Sequence, residues 1–369
     1  MLRLQKYKFT FALIFGMLML MSFSYDYQKD KTLSESFEIN GVGYLTIDNL
    51  HGDIDIRKWD KNEIKIDVEL TVSSKNSRAA DQFIEETTVQ FSQEDNKVYA
   101  ITQLAKVNLK KKWWQWGMDN YSFSVNYEVY VPELVHLELE NQHGDITVEA
   151  YDGDLDLDLA HGSLTTEYIT GKTDLKIEHG EVVMKGLSNG KIDIHFSEFE
   201  TIAAGNLIIN STRTEIDIIE ALDITSFSKY DEYKIGSMGN FINEGAYDEI
   251  RIGNARLLDI TTRFSEINVD VCEVGVNLDL YQGEIQIDHF TPAFDGGTIN
   301  FEHTEVELSF DSDVILDVDS EHTALDLKGM RQLEGGSPDP QKVRFVKGQS
   351  QRSKTLQVKA KYGSLEIND

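Results

Sequence analysis

The chain of 369 residues is short of cysteine, proline and positive charge, and each shortage excludes something. A single Cys leaves no intrachain disulfide and no Cys-based zinc site. Only 4 Pro, amid many β-branched residues, argue against disorder. Lys and Arg number 35 against 64 Asp and Glu, a net charge of −29. That argues against a nucleic-acid partner, which needs a cationic face against phosphates. A mean hydropathy of −0.35 with 40% apolar residues is too polar for a protein with many membrane spans. The length allows two or three domains. Motifs for a serine nucleophile elbow, a zincin helix or a phosphate-binding Gly loop are not found.

The one sustained apolar run is at the start. Arg3, Lys6 and Lys8 precede Phe9–Met21, and Ser22-Phe23-Ser24 places small residues at −3 and −1 before Tyr25. Residues 1–24 therefore read as a cleaved export signal, with an uncleaved anchor as the alternative. Losing its three cations, with no acid among them, takes the charge from −29 to −32. The cysteine, Cys272, lies far from this segment, which excludes lipoprotein anchoring there. Expected locations are the periplasm, the outer-membrane surface or the medium.

An internal repeat dominates what is present. A turn followed by an apolar-x-apolar run recurs as His143-Gly144-Asp145-Ile146, His161-Gly162-Ser163-Leu164 and His179-Gly180-Glu181-Val182. It continues at Phe196, Arg213, Tyr230, Tyr247, Phe264, Gln282, His303 and, weakly, His322. Most starts are 17 or 18 residues apart. His51-Gly52-Asp53-Ile54 and Tyr362-Gly363-Ser364-Leu365 share the pattern but fall outside the beat. Each period holds two short alternating runs, such as Ile216-Asp217-Ile218 and Leu222-Asp223-Ile224. Runs this short gain stability only when coil stacks on coil. The pattern predicts an all-β fold: a parallel β-solenoid, or β-helix, of about a dozen coils, with an antiparallel sandwich or barrel as runner-up.

Residues 33–135 break the beat and read as an N-terminal cap, with Ser77–Glu86 helical and Ser77 as its N-cap. The solenoid is expected over 136–327 and a basic C-terminal cap over 328–369. From Lys328 to Lys361 nine cations face only Glu334 and Asp339, a net +7. This tail can lie on the acidic rod or meet an anionic partner.

The stretch Gly43–Ile56, the run Tyr130-Val131-Pro132 with Leu137-Glu138-Leu139, and the repeated turn-plus-strand unit together resemble a family of exported bacterial β-strand-repeat proteins. These are candidate adhesins of unknown function, related to the head-GIN domain. The resemblance spans nearly the whole mature chain. It implies a β-helix-like fold, an envelope location and an adhesive or scaffold role, and it supplies no catalytic residue.

Three groups of residues are candidate sites. Asp145, Glu181, Glu198, Glu215, Glu232, Glu249, Glu266, Glu284 and Glu305 share one repeat position. Stacked carboxylates repel by roughly 0.8 kcal/mol at 5 Å in water, so they spread, shift their acidity or recruit cations. A row of weak Ca²⁺ sites is one reading and a solvated turn position the other; no cofactor is otherwise implied. Two residues earlier, His143, His161 and His179 give way to Phe196, Tyr230, Tyr247 and Phe264. That interchange argues for flat rings stacked in a turn over a transition-metal site. Finally, Lys110, Lys111, Lys112, Trp113, Trp114 and Trp116 cluster within one loop. This tip suits a membrane interface or a glycan, or else seals the end of the rod. Cys272 reads as an apolar filler.

The reading that follows is a non-enzymatic envelope adhesin or scaffold with an unknown glycan or protein partner and no nucleic acid. The alternatives are a polysaccharide-active β-helix enzyme, whether lyase or glycoside hydrolase, and a periplasmic sensor or regulatory partner.

Overall fold

A computed structural model describes residues 27–105, 121–311, 313–333, 341–349 and 354–368. The export segment and the Lys111–Trp116 tip lie outside the described residues. Among the described residues, no helix is long and apolar enough to cross a membrane.

The repeat forms a parallel β-solenoid, because each run alternates apolar and polar residues and so buries one edge of every coil. In the coil Glu181–His195, Val182, Met184, Leu187, Ile192 and Ile194 are buried. The next coil, Glu198–Thr212, pairs with it in parallel, Val182 opposite Phe199 and Ile192 opposite Ile209. Fully burying each such side chain is worth about 1.5–3 kcal/mol, and stacking joins these contributions into one core.

The expected pair of short strands per coil is replaced by one strand of 15 residues, as in Glu181–His195, Glu198–Thr212 and Glu215–Lys229. The strand bends without ending. Lys185 and Ser188 drop out of the pairing with the next coil, and pairing resumes on either side. The chain reverses at a tighter corner, where a non-glycine residue adopts a left-handed conformation. His161, His179, Phe196, Arg213, Tyr230, Tyr247, Phe264, Gln282, His303, His322 and Tyr362 all have φ between 50° and 63°. In the first two coils glycine holds the positive φ instead, at Gly52 and Gly144.

Both ends of the stack depart from chain order. The strand Gly43–His51 pairs in parallel with Val135–His143, Leu45 opposite Leu137. The intervening residues leave the rod and return. Lys97–Gln103 adds to the outer edge of Gly43–His51, and Tyr121–Val131 to that of Ile54–Lys58. Beyond them the pairing turns antiparallel, through Glu63–Ser74 to Tyr27–Glu38, which ends the solenoid on that side. The helix Ser77–Glu86 lays Ala80 and Phe83 against Val72. Its N-cap is Asn76 rather than Ser77: the Asn76 side chain accepts the Arg78 amide hydrogen at 3.1 Å, leaving Ser77 inside the first turn.

At the other end the last coil of the sequence is not the last in space. The strands Lys354–Lys361 and Ser364–Asn368 insert between Gly296–Phe310 and the strands Val314–Glu321 and Ala324–Leu327. Lys342–Lys347 then closes the outer edge of Val314–Glu321 in antiparallel fashion.

Candidate functional site

The tight corner is where like residues accumulate, because each coil passes it at the same repeat position. Three columns run along the rod there: a ring column, a short polar column beneath it, and a carboxylate column beyond.

The ring column is a stack. His51 lies on His143 at 4.5 Å between centroids, His143 on His161 at 5.1 Å and His161 on His179 at 5.1 Å, all within 12° of parallel. Phe196 follows His179, and the Arg213 guanidinium sits 5.3 Å from both Phe196 and Tyr230. Tyr230, Tyr247 and Phe264 stack at 4.8 Å. Stacking contributes about 0.5–1.5 kcal/mol per pair and offsets the strain of bulky residues at positive φ. Burial and the neighbouring imidazole lower the pKa of His51 and of His143 below the ordinary histidine value. The geometry is that of the stacked turn: the four imidazoles of His51, His143, His161 and His179 lie face to face. Among the described residues, no group of three or more His, Cys, Asp or Glu converges as a metal-binding cluster.

The polar column was present in the repeat but not singled out by the sequence reading. It comprises the residue after the left-handed corner position in five successive coils: Ser197, Thr214, Asp231, Asp248 and Ser265. Each of Ser197, Asp231, Asp248 and Ser265 caps a backbone amide of the preceding coil: Gly180, Thr214, Asp231 and Asp248, at 2.8–3.1 Å. Asp231 also accepts from Ser211 Oγ at 2.7 Å and from the Lys229 amide at 2.9 Å. Asp248 accepts from Ser228 Oγ at 2.9 Å. The Tyr233 hydroxyl is 2.8 Å from Ser211 Oγ. Since Ser211 donates to the carboxylate, Tyr233 donates to Ser211. Asn243 Nδ2 donates to Ser226 and Ser228 at 2.7 and 2.8 Å. Burial raises the Asp231 pKa and lifts that of Asp248 to about 6. The only signal for this column was that its members are all small or short and polar.

The carboxylate column is in register. Glu181, Glu198, Glu215, Glu232, Glu249 and Glu266 lie opposite one another in successive coils, and Glu284 lies opposite Glu305. Asp145, near the start, accepts the amide and hydroxyl of Ser163 at 2.9 and 2.7 Å. Burial and the charges of Glu200, Glu181 and Glu215 raise the Glu198 pKa. Further along, the chain supplies its own cations. Lys234 Nζ bridges Glu215 at 2.6 Å and Glu232 at 3.0 Å, and Arg251 bridges Glu232 and Glu249. The Glu232 pKa falls below the usual carboxylate value, chiefly through the hydrogen bond from Lys234. Cys272 is buried in a strand, its thiol pushed up to about 12 by burial. A thiol with so little thiolate is a poor nucleophile.

No family model matches this chain, and no curated protein matches it. Solved structures with some similarity include a candidate cell adhesion protein from Clostridium sporogenes, 10% identical over 92% of this chain and 99% of that one, with a TM-score of 0.18. Candidate adhesins from Bacteroides fragilis and Parabacteroides distasonis are 9% and 13% identical, each over 92% of this chain and 97% of the other, with TM-scores of 0.25. At these scores no property passes from those proteins to this chain.

Proposed function

We propose that the chain is an exported, non-enzymatic rod of the cell envelope that acts as an adhesin or scaffold. The observation that carries this reading is the register of the corner. Rings and carboxylates repeat at one strand spacing along the outside, which gives a partner many equivalent contacts. Asp231 and Asp248, whose pKa values burial raises, lie beneath that surface with their oxygens engaged by amides and serines. Glycoside hydrolysis instead requires two carboxyl groups flanking a bound sugar.

The Lys111, Lys112, Trp113, Trp114 and Trp116 tip is assigned a peripheral contact with membrane or glycan, from its sequence alone. Export follows from the signal-like first 24 residues. The test is binding of the full chain to envelope fractions and a glycan panel, beside a variant with Trp113, Trp114 and Trp116 changed to Ala. Saturable binding by the wild type supports the adhesive role, and its loss in the variant supports the tip. If neither protein binds anything, the adhesive role is wrong.

A further inference from the structure

Where the ring column meets the basic tail it changes character. Gln282, not an aromatic residue, takes the left-handed corner position in that coil. Its neighbour Tyr281 supplies the ring and turns it across the column, at 86° to Phe264 and 85° to His303, 6.1 Å from each. The faces of the parallel-stacked rings are covered by their neighbours. A ring perpendicular to that stack points its face sideways, and Tyr281 is 38% exposed.

Tyr281 lies in a groove of about 510 Å³ that crosses several coils. One row of its lining is Arg263, Tyr281, Glu302 and Lys361, in register; the other is Thr261, Asp279, Asn300 and Lys359. Cations thus stand at the two ends, and Asp279, Asn300 and Glu302 between them. Three strand steps of about 4.8 Å put Arg263 roughly 14 Å along the rod from Lys361. The side chains of Arg263 and Lys359 carry no ion pair or hydrogen bond among the described residues, whereas neighbouring tail cations are matched. Lys354 pairs with Asp295, Arg344 with Asp317 and Lys328 with Glu366, and Lys361 lies 3.9 Å from Glu321. In a chain of net charge −29, unmatched cations facing a groove call for an anion.

We infer that this groove binds a segment of an acidic polysaccharide, one sugar ring lying on the Tyr281 face and its carboxylates meeting Arg263 and Lys359. An aromatic face offers apolar contact to the C–H face of a sugar. The carboxylates of Asp279 and Glu302 and the amide of Asn300 accept or donate to hydroxyls, which a bare inorganic anion does not have. The distance between the cationic ends fits a chain rather than a single ring. This inference deepens the adhesive reading and rests on it.

The test uses the full chain and purified polygalacturonate oligosaccharides, with neutral cellohexaose as the contrast. Affinity is read by calorimetry and by gel retardation. The expected result is saturable binding of polygalacturonate, weakened by salt, and little binding of cellohexaose. Tyr281→Ala and Lys359→Glu should each reduce affinity at least tenfold, while Lys29→Gln, on the strand Tyr27–Glu38 at the other end of the solenoid, leaves it unchanged. Lys359→Glu alters only an exposed side chain, so it keeps the test decisive if Tyr281→Ala melts early. Unchanged polygalacturonate binding in both variants overturns the groove, and so does equal binding of cellohexaose; the adhesive reading then stands on the envelope-fraction assay alone. A wild type that binds neither these sugars nor envelope fractions overturns both.

Discussion

Tyr362 stacks on His303, 5.1 Å between centroids and 10° from parallel, and lies 5.3 Å from His322 on its other side. The coil that ends the sequence is therefore held between two coils that precede it. Leu356, Val358, Ala360, Leu365 and Ile367 are buried there.

Removing residues 354–369 should cost far more than trimming a tail, because it opens the core on both sides of the slot. The predicted outcome is a large fall in melting temperature and fast amide exchange over Val314–Leu327. A point test is Leu365→Ala, expected to cost about 2–5 kcal/mol in urea unfolding. A truncated protein that melts with the wild type would contradict the inserted coil.

The buried carboxylate of Asp248 gives a pH dependence with a definite sign. Its folded pKa, about 6, lies above its ordinary value of 3.8, so the folded state holds the proton more tightly. Stability attributable to this group rises as pH falls from 7 through 6 toward 4, and is lost as pH rises through 6. Two pKa units correspond to ~3 kcal/mol at most. Other carboxylates also titrate, so the informative quantity is the difference between wild type and Asp248→Asn in urea melts at pH 7 and pH 5. The variant should show the smaller gain on acidification; an identical gain would count against the buried carboxylate.

Gly245 is needed for what surrounds it, since its φ is not left-handed. A Cβ there would strike Asp248 Oδ2 and lie 2.5 Å from Ser228 Oγ. Both atoms belong to short side chains fixed by the polar column. Gly245→Ala should destabilise by about 1–3 kcal/mol, readable as a lowered urea midpoint. Gly245→Ala combined with Ser228→Gly should recover part of the loss.

Lys234→Gln should have a small effect, under ~1 kcal/mol, because its bridges to Glu215 and Glu232 are solvent-exposed. The loss should shrink in 1 M salt, which screens the repulsion left between the carboxylates. A salt-independent loss would show that Lys234 acts through packing instead.

The period of the repeat, the inward alternation of Val182, Met184, Ile192 and Ile194, and the shared positions of the rings and carboxylates were all legible in the sequence. They are local: each follows from which residue faces in and which sits at a turn. The continuous 15-residue strands were less legible, since Gly186 and Ser188-Asn189-Gly190 read as a break between two runs, whereas the chain only bends there and loses pairing at Lys185 and Ser188 alone. The polar column was overlooked because Asp231 and Asp248 resemble the solvated acids around them. Only the packing of adjacent coils shows that their oxygens cap buried amides.

The sequence alone determined the coil, because alternation and a 17-residue beat leave the backbone few other ways to bury its apolar side. Tertiary structure decided the order of the coils. Any strand with the same alternation and a flat ring at its corner fits any neighbour, so nothing local tells His51 to lie on His143, or Tyr362 to lie between His303 and His322. Those choices depend on how the excursion after Lys58 and the return through Lys342–Lys347 close in space, and with them the placement of Lys359 beside Asn300 in the groove of Tyr281.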